Sequence, residues 1–165
     1  MTLNTQLAQA LNQQINSELN ASLNYLSMAA YFDSVALPGF ASWFRAQSQE
    51  ENEHGMRIYD FIVKRGGDVK ISGIADPVQG FDSPKEALQA ALTMEGAVTA
   101  QIHALFELAH EVKEYSTLTM LNWFLDEQIE EEDSFRTILE KVEAAEGDRW
   151  NMLVLDQELG ARGAA

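Results

Sequence analysis

The amino-acid sequence predicts an all-α protein: a four-helix bundle with one long crossover between its second and third helices and a short fifth helix near the C-terminus. Three observations predict it. Apolar residues recur at helical spacing in four long stretches. The breaks between those stretches are short, except for one of about 16 residues. Finally, each apolar stripe is interrupted by groups that a dry core would exclude: Glu18 with Tyr25, Glu51 with His54, Glu95, and Gln128 with Glu131.

The first stripe runs from about Asn4 to Asp33 through Leu7, Leu11, Ile15, Tyr25, Ala29 and Phe32. Its opposite face is largely uncharged (Gln9, Asn12, Gln13, Asn16, Asn20, Asn24), which suits a protein contact better than free solvent. Pro38-Gly39 punctuates the chain, and a second stripe follows through Phe40, Phe44, Gln47, Glu51, His54, Ile58 and Phe61 to Gly66-Gly67. Gly67 to Asp82, with Gly73, Pro77 and Gly80, reads as irregular. Ser83-Pro84-Lys85-Glu86 is a capping box with proline at the first helical position, and it opens a stripe through Leu88, Leu92, Glu95, Thr99, Ile102, Phe106 and Ala109. After a break near Glu114 to Ser116, the fourth stripe passes Leu118, Leu121, Leu125, Gln128, Glu131, Phe135, Ile138 and Val142 and stops at Gly147. Arg149 to Leu159 is amphipathic enough for a fifth helix, and the Gly-Ala tail after it is expected to be mobile.

The irregular stretch decides the topology. Helices of about 28 residues are ~42 Å long, and about 16 extended residues reach ~55 Å. That segment can run the length of the bundle and leave helices two and three parallel, whereas the other connections between long helices are short enough to make hairpins. At 165 residues the whole chain, 1–165, is expected to be one domain.

Composition narrows the function. A formal net charge of -15, with only 11 scattered Lys and Arg, argues against nucleic acid and makes cations the natural partners. Cysteine is absent, so disulfides, thiolate zinc sites and iron-sulfur clusters are excluded and any metal must be held by oxygen and nitrogen. The first basic residue is Arg45 and no apolar run approaches the ~18 residues of a membrane span. A cytoplasmic protein without membrane association is the expectation.

Several ionisable groups inside one core would be costly to bury without counter-charge, which points to metal ions at their meeting point. Glu51 and His54 form E-x-x-H, and residues three apart on a helix share a face and can grip one ion. Glu18, Glu51, Glu95 and Gln128 with Glu131 lie near the middle of their helices, so antiparallel packing brings them to one height. Carboxylates with one imidazole suit a pair of iron ions with open positions for oxygen, and would also take zinc or manganese. Tyr25, two turns after Glu18, is either an ordinary core tyrosine bonded to a carboxylate, a neighbour of the metal pair, or both. The run Asp126 to Asp133 reads as a solvated face, or, through Glu127 and Glu130 together with Glu50, as ligands of a third ion. Glu107 and His110 repeat the E-x-x-H spacing but fall off their stripe and are expected on the surface.

These residues, in order along almost the entire chain, resemble the ferritin family and in particular its non-haem bacterial members: Glu18 and Tyr25, Glu50-Glu51-x-x-His54, Glu95, and Glu127-Gln128-x-Glu130-Glu131. The resemblance implies a ferritin-like bundle, a 24-subunit shell and iron kept inside it as a ferric mineral. It implies that Glu18, Glu51 and His54 hold a first iron, that Glu51 bridges to a second held by Glu95 and Glu131, and that Gln128 sits beside the pair. It assigns Glu50, Glu127 and Glu130 to an additional inner site, and Tyr25 to the tyrosine proposed to supply an electron. Bacterioferritins carry a second histidine where Glu131 stands and a haem-binding methionine where Asn52 stands, so no haem is expected. Rubrerythrins append a Cys-rich iron domain that this chain lacks. Animal ferritins line their three-fold pores with acidic residues where Leu118 and Leu121 stand, which leaves iron to enter by another channel.

The activity implied is that of a ferroxidase: Fe(II) oxidised at the di-iron centre by oxygen or hydrogen peroxide, then stored. A di-iron oxidase or oxygenase of an organic substrate is the alternative, and it would need an apolar pocket beside the metals. A metal-free structural bundle is a third reading.

Overall fold

The computed structural model describes residues 3–163 and contains five α-helices: α1 (Thr5–Ser34), α2 (Pro38–Lys64), α3 (Pro84–Glu111), α4 (Tyr115–Ala144) and α5 (Arg149–Gly160), followed by a 3-10 turn, Ala161–Gly163. Three of these starts, those of α1, α3 and α5, are capped by a side chain. Asn4 caps α1, its side chain accepting from Leu7 N at 3.1 Å. Ser83 accepts from Glu86 N at 3.1 Å, and Glu86 reaches back to Asp82 N at 2.6 Å, so the expected capping box closes on the residue before the cap. Asp148 caps α5 by accepting from Trp150 N and Asn151 N at 2.9 and 3.1 Å.

Helix α2 has no capping side chain of its own, only Pro38 at its first position. The missing acceptor comes from 116 residues away: Phe40 N donates to Asp156 Oδ1 of α5 at 2.9 Å, and Asp156 is buried. The two helices touch so closely there that a Cβ on Gly39 would lie 1.7 Å from the Asp156 carbonyl oxygen. The fifth helix is therefore locked across the N-terminus of the second.

The expected crossover between α2 and α3 is observed, and the uncharged face of α1 is what holds it. Asn12 accepts from Lys70 N at 2.6 Å and donates to the Asp68 carbonyl at 3.0 Å; Asn24 accepts from Val78 N at 3.0 Å; Ser27 donates to the Val78 carbonyl at 2.7 Å. A segment without secondary structure needs partners for its backbone groups, and a row of short carboxamides supplies them. After α5, in which Gly160 is the last residue, residues 161–163 form a 3-10 turn, while the remaining Ala164 and Ala165 of the tail expected to be mobile lie outside the described residues.

The core is divided. One half holds Tyr25, Phe32, Phe40, Trp43, Phe44, Phe135 and their aliphatic neighbours, with Phe32 stacked on Phe40 and Phe44 at 4.8 and 5.1 Å. The other half holds Leu7, Leu11, Ile15, Ile58, Ile62, Ile102, Leu121 and Phe124. Leu121 is fully buried in that second half, and Leu118 is a partly buried residue packed against it. Between the halves runs a layer of buried polar groups contributed by all four long helices: Gln14, Glu18, Gln47, Glu51, His54, Glu95, Gln128 and Glu131. No helix among the described residues is long and apolar enough to cross a membrane.

Candidate metal centre

Helical periodicity places the polar layer. Glu18 continues the stripe of Leu7, Leu11 and Ile15, and Glu51 and His54 continue that of Phe40, Phe44 and Gln47, so the side chains that fill the core elsewhere are replaced here by ligands. Glu18, Glu51 and His54 offer ligand atoms that all lie within 4.8 Å of one another, and all three residues are buried. His54, Glu127 and Glu131 form a second such group on the other side of the imidazole. His54 Nδ1 faces Glu51 Oε2 at 3.3 Å and Nε2 faces Glu127 Oε1 at 3.9 Å.

The remaining members are tied by hydrogen bonds. Tyr25, fully buried and stacked on Phe135 at 5.4 Å, donates its hydroxyl to Glu95 Oε1. Gln128 donates to the other Glu95 oxygen at 3.0 Å. Tyr25 is thus both core aromatic and partner of a ligand carboxylate. Gln14 donates to Glu18 Oε1 at 2.9 Å, and Gln47 donates to Glu131 Oε2 at 2.7 Å. Three carboxylates of the layer each have a carboxamide that fixes their orientation. A line of polar contacts then leads outward, from Gln128 to Thr99 at 3.2 Å and from Thr99 to Glu132 at 2.5 Å.

Electrostatics mark the layer as short of positive charge. Burial, and then the Glu51 carboxylate, push Glu18 well above the usual carboxylate range. Burial and then Glu95 do the same to Glu51. Burial raises Glu95 against the pull of its bonds from Tyr25 and Gln128. Glu131 is pushed up to about 7, by burial first and by Glu95 second. Burial and Glu95 hold the Tyr25 hydroxyl firmly protonated. Yet Glu18 Oε2, Glu51 Oε1 and His54 Nδ1 are buried with no protein donor or acceptor in hydrogen-bonding geometry. Buried lone pairs of this kind are ordinarily satisfied, and three converging on one point are the signature of an ion site. Oxygen and imidazole donors fit iron, zinc or manganese.

The three carboxylates read as ligands of a third ion are spread out. Glu127 lies by His54 and Glu131. Glu50 is bound by Arg162 through two bonds of 2.8 Å. Glu130 is exposed beside the cavity between α3 and α4 that Thr99, His103 and Arg136 also line. Glu107 and His110 are on the surface as expected. Sequence reasoning gave no role to Gln14, Gln47 or Arg162. Gln47 was visible as a polar interruption of its stripe, and Gln14 stands four residues before Glu18, where i,i+4 pairing predicts a contact.

A family model described as a ferritin-like domain matches residues 8–145. The chain is 39% identical over 160 residues to a bacterial non-heme ferritin of Staphylococcus aureus (strain USA300), covering 97% of this chain and 96% of that one. It is 40% identical over 161 residues to the protein of the same name from Staphylococcus haemolyticus (strain JCSC1435), with the same coverage of each. Its structure is similar to that of an open pore ferritin from the hyperthermophilic archaeon Archaeoglobus fulgidus, with a TM-score of 0.97, 42% identity, and 98% and 99% of the two chains covered.

Proposed function

The chain belongs to the ferritin family, and from that premise we propose that it is an iron-storage ferroxidase, taking Fe(II) as substrate at the centre of its bundle. The observation that carries the reading is the convergence of unsatisfied Glu18, Glu51 and His54 atoms in a buried layer.

In this reading Glu18, Glu51 and His54 bind one ferrous ion, Glu51 is shared with a second, and Glu95 and Glu131 complete the second position beside Gln128. A pair of ferrous ions gives up two electrons together, the number that takes oxygen to hydrogen peroxide or peroxide to water. The protein's part is charge and placement. Anionic ligands favour the ferric product, and carboxylates that hold protons in the ion-free protein release them as cations arrive. Gln14, Gln47 and Gln128 keep the ligand carboxylates aimed while those protons leave. Tyr25 is assigned the role of electron donor to the site, a reading supported by its hydrogen bond to Glu95. Glu50, Glu127 and Glu130 are assigned to a third ion on the inner side, which requires them to be drawn together by the ion itself.

The whole chain, 1–165, is assigned to one domain of a 24-subunit cytoplasmic shell that encloses the ferric mineral. Non-haem chemistry agrees with Glu131 and Asn52 at the positions where bacterioferritins differ. An oxidase of an organic substrate needs an apolar pocket beside the ligands. The cavity of about 600 Å³ that borders Gln128 mixes Leu125 and Ile129 with Glu130, Glu132, Asp133 and Arg136, so charged side chains share its wall.

The test is oxygen-dependent ferric absorbance after anaerobic Fe(II) loading. Glu51→Ala and His54→Ala should each lower the initial rate by at least about tenfold. Wild-type initial rates in both variants reject the centre.

A further inference from the structure

The 3-10 turn after α5 delivers a basic side chain to Gln47 and Glu50, beside the polar layer. Arg162 Nη2 donates to both oxygens of Glu50 at 2.8 Å, Nη1 donates to Gln47 Oε1, and the guanidinium carbon lies 4.8 Å from the centre of the Trp43 ring. The contacts cross 112 residues of sequence at Glu50 and fall on α2 between Trp43 and Glu50, about two helical turns. They also settle which way Gln47 faces. Arginine has no acceptor, so the carboxamide must present its oxygen to the guanidinium and its NH2 to Glu131, where it donates at 2.7 Å.

We propose that Arg162 is a tethered counter-cation that occupies Glu50 and thereby holds the third-ion position closed, so that a divalent ion binds there only by displacing the guanidinium. The inference rests on the function proposed above, in which Glu50 is a ligand of that ion. A guanidinium is permanently charged and pairs with a carboxylate as a fork, so it and a metal ion compete for the same two oxygens. The competitor is always at hand, because Asp156 pins α5 to the N-terminus of α2 and leaves Arg162 only a short reach from Glu50. The pair is also releasable: about a third of each side chain is exposed (33% and 39%), so the bond is screened and not locked in the core. Arg162 is in this sense a specificity residue for the number of ions held, and it acts on Glu131 only through Gln47.

The experiment is calorimetric titration of the assembled, iron-free full chain with Zn(II), comparing wild type, Arg162→Gln, Arg162→Lys and the double variant Arg162→Gln/Glu50→Gln. Arg162→Gln should bind its third equivalent about tenfold more tightly than wild type. The double variant should lose that gain, and Arg162→Lys, which keeps the charge without the fork, should fall between wild type and Arg162→Gln. A third equivalent unaffected by Arg162→Gln overturns the proposal, as does a gain that survives loss of the Glu50 carboxylate or one equally large in Arg162→Lys. The first two equivalents report separately on the di-iron reading: if wild type fails to bind them, that reading fails, whatever Arg162 does.

Discussion

Gln14 and Glu18 lie one turn apart on α1, and the carboxamide of the first donates to Oε1 of the second at 2.9 Å while Oε2 is left without a donor. The bond divides the labour of one carboxylate: one oxygen is fixed and the other is free for an ion. Gln14→Leu keeps the buried volume nearly constant and removes the donor. Loss of such an outer partner typically weakens metal binding ~10- to 100-fold. Zn(II) titration of the iron-free protein should show the first equivalent weakened by about tenfold or more, with the helical circular-dichroism signal unchanged. An unaltered first equivalent would mean that Glu18 needs no help from Gln14.

The ion-free centre should make stability depend on pH with an unusual sign. Glu131 has its folded-state pKa raised to about 7 from an ordinary value of 4.5. Across the window between those values the folded state holds a proton that the unfolded state has released, so this contribution is present at low pH and lost as pH rises through about 7. The shift corresponds to on the order of 3 kcal/mol, and Glu18, Glu51 and Glu95 act in the same direction. The thermal midpoint of iron-free protein should therefore rise as pH is lowered from about 8 to about 6. Glu131→Gln should flatten that dependence, and saturating Zn(II) should reverse it, because cations compete with protons. A midpoint that climbs with pH in the absence of metal is incompatible with protonated carboxylates in the layer.

Tyr25→Phe should show which interactions of the centre are exchangeable. The substitution keeps the ring against Phe44 and Phe135 but takes the donor from Glu95 Oε1, a buried oxygen. Leaving such an acceptor unpaired typically costs about 1–3 kcal/mol. Differential scanning calorimetry should find a loss of that size without metal and a smaller one with Zn(II), since an ion gives Glu95 a new partner. Equal losses in both states would place Glu95 outside the ion's reach.

How much of this was legible depends on how far apart the partners are in sequence. The bundle could be read because Leu7, Leu11, Ile15, Phe40, Phe44 and Ile58 fall on stripes whose period is local, and all of them are buried. The ligands could be read for the same reason, as polar residues standing where the period demands apolar ones. The uncharged face of α1 was legible as a contact surface, but its occupant was not, since nothing in Asn12 or Asn24 indicates that a crossover more than fifty residues away will lie there. Gln14 was hidden among Gln6, Gln9, Asn12, Gln13 and Asn16, which it resembles in everything except burial. Asp156 and Arg162 were beyond reach altogether. Each sits in a short terminal segment whose docking on α2 is decided by the close approach at Gly39, and periodicity carries no information about that.

That close approach can itself be tested. A methyl group on Gly39 would lie 1.7 Å from the Asp156 carbonyl oxygen and 2.9 Å from its Cγ, and backbone of a packed helix cannot yield as a flexible side chain would. Gly39→Ala is compatible with helical φ and ψ and even favours the helix locally, so any destabilisation comes from pushing α5 away. Overpacking of this kind costs about 1–3 kcal/mol, occasionally more. The bond from Phe40 N to Asp156 should break with it and return α2 to an uncapped start. Limited proteolysis of Gly39→Ala should cut within Arg149–Gly160 at least about tenfold faster than in wild type. Because the turn that follows this helix carries Arg162, displacement of α5 should also free Glu50, and the third Zn(II) equivalent should tighten as it does in Arg162→Gln. Rapid cleavage with an unchanged third equivalent would show that Arg162 reaches Glu50 without help from the α5 anchor.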